Sequence, residues 1–245
     1  MNKSLGIIGI GAFGEFMLKH ISPYFDVAIY DAKRDIEDVT TLYNVKSASL
    51  EGICNCDIIV IAVPVQQIQN IVDAIKDKLV AGQLVIDVAS VKCLPTEILS
   101  KNINAEVDIV SLHPLFGPQS GRDGIKGLNV AVVNVRGSRS VCVTEFLKRL
   151  ELNVFETTAE QHDLQMAYVM GLTHMIAKVF KKMDLPEFPM QTKTFALLKE
   201  AVSYVIDDSD ELFYAIQRDN PFVDGTKEAF FTAVKELEIK LHEAK

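Results

Sequence analysis

The chain has 245 residues, 49% of them hydrophobic and 24% charged, which is ordinary globular composition and excludes a disordered polypeptide. The 25 basic and 33 acidic residues leave a net charge of −8 with no basic block, which argues against nucleic acid or an anionic membrane as partner. Cys54, Cys56, Cys93 and Cys142 match no zinc signature, so no metal site is expected. Met1-Asn2-Lys3-Ser4 leads directly into a short apolar run with no signal-peptide core. No apolar stretch approaches a membrane span, and a cytoplasmic protein is expected.

The first predicted element is a short strand, Leu5–Gly9. An amphipathic helix follows, with Phe13, Phe16, Met17 and Ile21 on one side. Val27–Tyr30, Asp57–Val63, Gln83–Val88, Asp108–Leu112 and Asn129–Val133 are short, continuous, β-branched-rich runs, as strands buried on both faces require. Amphipathic stretches such as Gln66–Leu79 lie between them. This alternation predicts an α/β fold with a doubly wound parallel sheet of Rossmann type. Near residue 157 the periodicity becomes helical throughout. Helices are predicted at Ala159–Met183, Gln191–Ile206, Asp210–Arg218 and Thr226–His242, punctuated by Pro186, Pro189, Asn220-Pro221 and Asp224-Gly225. The expected domains are therefore 1–155, binding a dinucleotide, and 156–245, an all-helical substrate-binding and dimerisation domain.

Gly9-Ile10-Gly11-Ala12-Phe13-Gly14 is a G-x-G-x-x-G between a predicted strand and a predicted helix. Gly9 permits the tight turn, Gly11 admits a pyrophosphate to the helix N-terminus, and Gly14 allows helix and strand to pack closely. Ala12 and Phe13 complete the loop. Asp31, at the end of the second predicted strand, is placed to accept hydrogen bonds from a ribose and to repel a 2′-phosphate. NAD is thus expected over NADP, although Lys33 and Arg34 offer charges for that phosphate. Val63-Pro64 closes a strand beside the same crevice, since proline cannot donate within a ladder.

Two further segments lie at strand ends. In Asp87-Val88-Ala89-Ser90-Val91-Lys92, Ser90 is either a turn or capping serine or a hydroxyl that orients a reacting group. In Ser111-Leu112-His113-Pro114-Leu115-Phe116-Gly117-Pro118, His113 ends an apolar strand beside residues that stiffen the turn. Oxidising an alcohol by hydride transfer leaves a proton to remove, and histidine is the usual base near neutral pH.

Together, Gly9–Gly14, Asp87–Lys92, His113–Gly121 (HPLFGPQSG) and Glu160–His174 (EQHDLQMAYVMGLTH) resemble the prephenate/arogenate dehydrogenases of tyrosine biosynthesis. The resemblance spans nearly the whole chain, and HPLFGPQSG is its most specific part. It implies a Rossmann domain with a helical domain that forms a homodimer. The implied reaction is oxidative decarboxylation of prephenate or arogenate: hydride passes from C4 to NAD with His113 as base and Ser90 as its hydroxyl partner. His174 matches a substrate-contacting histidine, and Gln119 and Ser120 lie in the substrate loop. The family's arginine for the substrate carboxylates has no counterpart in Ala201–Tyr204, which leaves Lys193, Arg122, Arg218 or the loop backbone. Asp123 matches an acidic position associated with arogenate, whose ammonium it would pair with. The resemblance is closest to the plant-like branch, from whose NADP preference Asp31 departs. With no further domain after residue 245, any product inhibition is expected to act at the active site. The alternatives are a β-hydroxyacid dehydrogenase or imine reductase of the same fold, and a dinucleotide-binding protein without catalysis.

Overall fold

A computed structural model describes residues 3–243. The chain divides into two compact units, Met1–Ala159 and Glu160–Lys245.

The first unit holds β1 (Ser4–Ile8), α1 (Ala12–Ile21), β2 (Asp26–Tyr30), α2 (Glu37–Tyr43), β3 (Lys46–Ser47), α3 (Leu50–Ile53) and β4 (Ile58–Ile61). It continues with α4 (Ile68–Ile75), β5 (Leu84–Asp87), α5 (Cys93–Asn102), β6 (Asp108–Pro114), β7 (Asn129–Arg136), α6 (Ser140–Arg149) and β8 (Asn153–Glu156). The strands form one sheet in the order β3-β2-β1-β4-β5-β6-β7-β8. It is the doubly wound Rossmann-type α/β sheet that the alternating runs predict.

Every pairing is parallel except β6 with β7, which is antiparallel. The predicted parallel sheet thus carries one antiparallel step. Residues 115–128 between the two strands contain no helix, and a parallel return needs a crossover, usually helical. β8 then pairs with β7 and carries the first unit past residue 155.

β4 and β5 are buried at every position, as strands covered on both faces must be. Leu5, Val60, Ile86, Leu112 and Val132 point to one face, where Leu18 and Ile21 of α1 and Val143 and Leu147 of α6 join the same apolar core. Residues of alternate register, among them Ile59, Ile61, Val85 and Ile109, are buried on the opposite face.

The second unit is helical: α7 (Ala159–Met183, begun by the last residue of the first unit), α8 (Lys193–Ser203), α9 (Asp210–Tyr214) and α10 (Val223–Glu243). Thr192 and Ser209 cap α8 and α9, their hydroxyl oxygens accepting from the N–H groups of Phe195 and Leu212. The predicted helix Asp210–Arg218 is α-helical only to Tyr214; Ala215–Asp219 form a π-helical turn. α10 starts three residues before the predicted Thr226. No helix among the described residues is long and apolar enough to cross a membrane.

Candidate active site

The sheet order reverses at β1, which lies between β2 and β4. The carboxyl ends of parallel strands at such a switch point form the usual crevice for a dinucleotide. Gly9 leaves β1 with φ +99°, a conformation side chains rarely adopt, and a Cβ there would come within 2.6 Å of the Ala62 carbonyl oxygen. A Cβ on Gly14 would strike the Gly9 carbonyl oxygen, so this glycine lets α1 close onto the turn. Gly11 behaves differently. A Cβ there would meet no atom within 4 Å, so nothing in the protein demands glycine. Open space at the N-cap of a ten-residue helix, whose first N–H groups have no side-chain cap, fits a pyrophosphate.

Asp31 stands just past β2. Its carboxylate accepts from the N–H groups of Ile10 at 2.8 Å, Lys33 at 2.8 Å and Arg34 at 2.9 Å. Burial opposes its charge, but the N–H groups of Arg34, Ile10 and Lys33 and the Arg34 guanidinium hold the carboxyl below its ordinary range. The carboxylate therefore ties the glycine turn to the end of β2. The Arg34 guanidinium donates to the Ile10 carbonyl at 3.0 Å and to Glu15 at 2.5 Å, and lies 3.3 Å from Asp38. Its charge is already answered by two carboxylates. Lys33 is exposed.

Val63 and Pro64 follow β4, beside β1. Ser90 follows β5 and is half-buried. His113 lies in the last part of β6 and is 5% exposed. β5 and β6 are neighbours with Asp87 opposite Ser111, so Ser90 and His113 leave adjacent strands on the same edge of the sheet.

Beneath them is a buried polar cluster that inspection of the sequence did not single out. Lys92, fully buried, donates to Asp87 at 2.6 Å and to the Leu112 carbonyl at 2.7 Å. The Ser111 hydroxyl donates to the other Asp87 oxygen, and the Ala89 N–H to the first at 3.1 Å. These bonds bind the turn carrying Ser90 to the strand carrying His113. The only signal in the sequence is a lysine in the otherwise uncharged run Val88–Pro95, and a solvated lysine reads the same way.

After β6 the chain forms an exposed loop. The Ser120 hydroxyl accepts from the Gly117 N–H at 3.0 Å, and Gly121 lies so close to Phe16 that a Cβ would come within 2.6 Å of its ring. Gln119, Arg122 and Asp123 are exposed, and Arg122 lies 3.5 Å from Asp123.

The remaining candidates belong to the second unit. His174 is 4% exposed, with Nδ1 at 2.9 Å from the Met170 carbonyl and Nε2 at 3.1 Å from Asp208. The carbonyl fixes Nδ1 as a donor and leaves Nε2 facing the carboxylate. Lys193 opens α8 and is exposed. Arg218 is exposed in the π-helical turn, 4.1 Å from the centre of the Tyr214 ring. The first unit gathers Gly9, Ser90 and His113 on one strand edge; in the second, His174 meets Asp208, which was not among the candidates. No group of three or more His, Cys, Asp or Glu that would hold a metal ion occurs among the described residues.

A doubly wound sheet with a glycine turn at its switch point defines a Rossmann-type nucleotide-binding protein with a helical second unit. Residues 23–130 match the family described as prephenate dehydrogenase, nucleotide-binding domain. Arogenate dehydrogenase 2, chloroplastic, of Arabidopsis thaliana is 27% identical over 98% of this chain and 71% of its own length. Arogenate dehydrogenase 1 of the same plant is 25% identical over 97% of this chain, which spans only 39% of that relative. Prephenate dehydrogenase from A. aeolicus, solved with hydroxyphenyl propionate and NAD+, has a similar fold: TM-score 0.76 at 18% identity, covering 100% of this chain and 92% of that one. Synechocystis arogenate dehydrogenase gives TM-score 0.71 at 18% identity, covering 98% and 92%. The family match covers residues 23–130, and over nearly its whole length the chain is similar to arogenate dehydrogenases.

Proposed function

We propose that the protein catalyses NAD-dependent oxidative decarboxylation of prephenate or arogenate. The observation that carries this reading is the position of His113, at the carboxyl end of β6 on the edge where the glycine turn forms its nucleotide cradle. NAD held there would supply the hydride acceptor for C4 of the cyclohexadienol. His113 takes the C4 hydroxyl proton as that carbon is oxidised, and returns it to the oxygen of the aromatic product. Loss of the ring carboxylate as CO2 supplies the electron pair that aromatises the ring. Ser90 orients the hydroxyl or the imidazole. Gly11 gives the pyrophosphate access to the N–H groups of α1.

Asp31 and the pairing of Arg34 with Glu15 and Asp38 support NAD over NADP. A 2′-phosphate would meet a carboxylate, with the nearest guanidinium already engaged. The exposed side chains of Arg122, Lys193 and Arg218, with the 117–121 loop and its Gln119 and Ser120, are the candidates for the substrate carboxylates. His174 is the helical unit's contribution to substrate recognition. Asp123 would pair with the ammonium of arogenate. The exposed apolar residues of α10, among them Phe231, Leu237 and Leu241, fit a homodimer contact. Light scattering of the purified protein at the mass of one chain would exclude that assembly.

The test is direct. Purified protein with NAD is given prephenate and arogenate in parallel, and NADH absorbance is followed. NADH from either substrate is expected, and Asp123→Asn is expected to shift the ratio of rates toward prephenate. No reduced cofactor from either substrate, with NAD or with NADP, would sink the assignment.

A further inference from the structure

An apolar cavity lies on the sheet face covered by α1 and α6, with Phe13 of the glycine turn in its wall. It measures about 400 Å³ and sits between α1, α6 and the face of the sheet they cover. Its wall carries five phenylalanines, Phe13, Phe16, Phe25, Phe116 and Phe146, over a floor of strand aliphatics that includes Val60, Ile86 and Leu112. None of Gly9, Gly11, Asp31, Ser90 or His113 lines it. Protein interiors are packed to crystal density, and voids larger than a water molecule are few. Apolar cavities of this kind stay dry and accept apolar molecules. The volume lies within the range of small-molecule sites.

Two observations narrow the occupant. Lys3 and Arg139 reach the cavity; Lys3 is exposed to solvent, and Arg139 lies 3.8 Å from Asp108. His20 does offer an unanswered polar atom. It lines the cavity near the end of α1, packed edge-on against Phe16 with ring centres 4.9 Å apart. Its Nε2 is buried and has no hydrogen-bond partner. Burial, and then the charge of Lys19, lower its pKa, which keeps the ring neutral near pH 7. A neutral imidazole nitrogen either donates or accepts according to tautomer, and a hydroxyl satisfies it in both cases.

We propose that this cavity is a binding site for an uncharged, largely apolar molecule with one hydroxyl group, whose hydroxyl meets His20 Nε2 and whose apolar body lies among the phenylalanines. Cys142 lines the cavity and is exposed, so the first turn of α6 forms the entrance. The site borders the proposed reaction centre through Phe13, Pro114 and Phe116, but its occupant does not depend on that reaction.

The probe is 1-octanol, titrated calorimetrically into the full chain with and without NAD. One saturable site per chain is expected, with NAD affinity unchanged by the alcohol. Cys142→Trp, a bulky side chain at the entrance, is expected to weaken octanol binding at least about tenfold and leave NAD affinity intact. His20→Phe keeps the shape and removes the nitrogen, and it is expected to weaken octanol about tenfold, the worth of one buried hydrogen bond. Octanol uptake without saturation, or at full affinity in Cys142→Trp, would overturn the site. So would displacement of octanol by NAD. Full affinity in His20→Phe would overturn the role of the hydroxyl.

Discussion

The two units of the chain bury their residues in opposite ways. In the first, β4 and β5 are covered along their whole length, and even the charged pair Asp87–Lys92 is fully enclosed. In the second, the 21-residue α10 buries only Val223 and Thr226, while Phe231, Val234, Leu237, Ile239 and Leu241 are exposed. A sheet covered on both faces holds its turns and strand ends rigidly, and such a frame can fix reacting groups to a fraction of an ångström. Long helices with exposed apolar stripes leave surface for another partner to cover. The proposed function uses this contrast, placing chemistry in the first unit and recognition and assembly in the second.

The largest effect should come from the first unit. His113→Asn is expected to lower turnover about 10³-fold while NAD affinity stays unchanged, because a general base contributes about 10²–10⁴. Turnover within a few-fold of the parent enzyme would move the base elsewhere and break the division between the units. Next is the cluster under the site. Lys92→Met strands the Asp87 carboxylate without its cation, and breaking a buried pair in this way costs about 3–5 kcal/mol. Denaturant unfolding should show that loss; an unchanged midpoint would mean that the pair contributes little to rigidity.

The glycines sharpen the contrast between fold and ligand. Gly11→Ala is expected to weaken NAD at least about tenfold with little change in melting temperature, since a Cβ there meets no protein atom and intrudes only on the phosphates. Gly14→Ala is expected to do the reverse and lower stability first, because its Cβ strikes the Gly9 carbonyl. Equal melting temperatures for the two variants would contradict these roles.

Asp31 adds a pH dependence. Its folded pKa lies below the unfolded value of about 4, so its contribution is fully present above that pH and is lost as pH falls through the folded pKa. Asp31→Asn should flatten that part of the acid limb of the stability profile and raise NADP use relative to NAD; an identical limb would remove the linkage. The smallest effect belongs to the second unit. Asp208→Asn takes the carboxylate from His174 Nε2. It is expected to raise KM for substrate a few-fold with NAD affinity constant, and an unchanged KM would separate His174 from substrate.

The glycine turn and the buried strands are legible in the sequence because their causes are local. A run of β-branched residues and a glycine before a helix are visible in a few letters. β3 and β8 were not singled out: β3 has two exposed residues, and β8 is four residues long with none fully buried. They exist because neighbouring strands offer an edge. The reversal at β7 was missed for a related reason, since strand direction is set by the connection and not by the strand's own residues.

By itself the sequence determined the Rossmann-type fold class, the glycine cradle, the acidic residue after β2, and the histidine at the end of β6. Each depends on backbone geometry within about ten residues, where residue type and conformation are directly linked. The tertiary structure alone decided that Arg34 is held by Glu15 and Asp38, that Lys92 is buried against Asp87, and that His20 faces an apolar cavity. Arg34, Lys92 and His20 would read as ordinary solvated side chains on any local view. Their partners arrive from elements that fall beside them only when the sheet is assembled, and burial then converts a bland charge or ring into a specific contact.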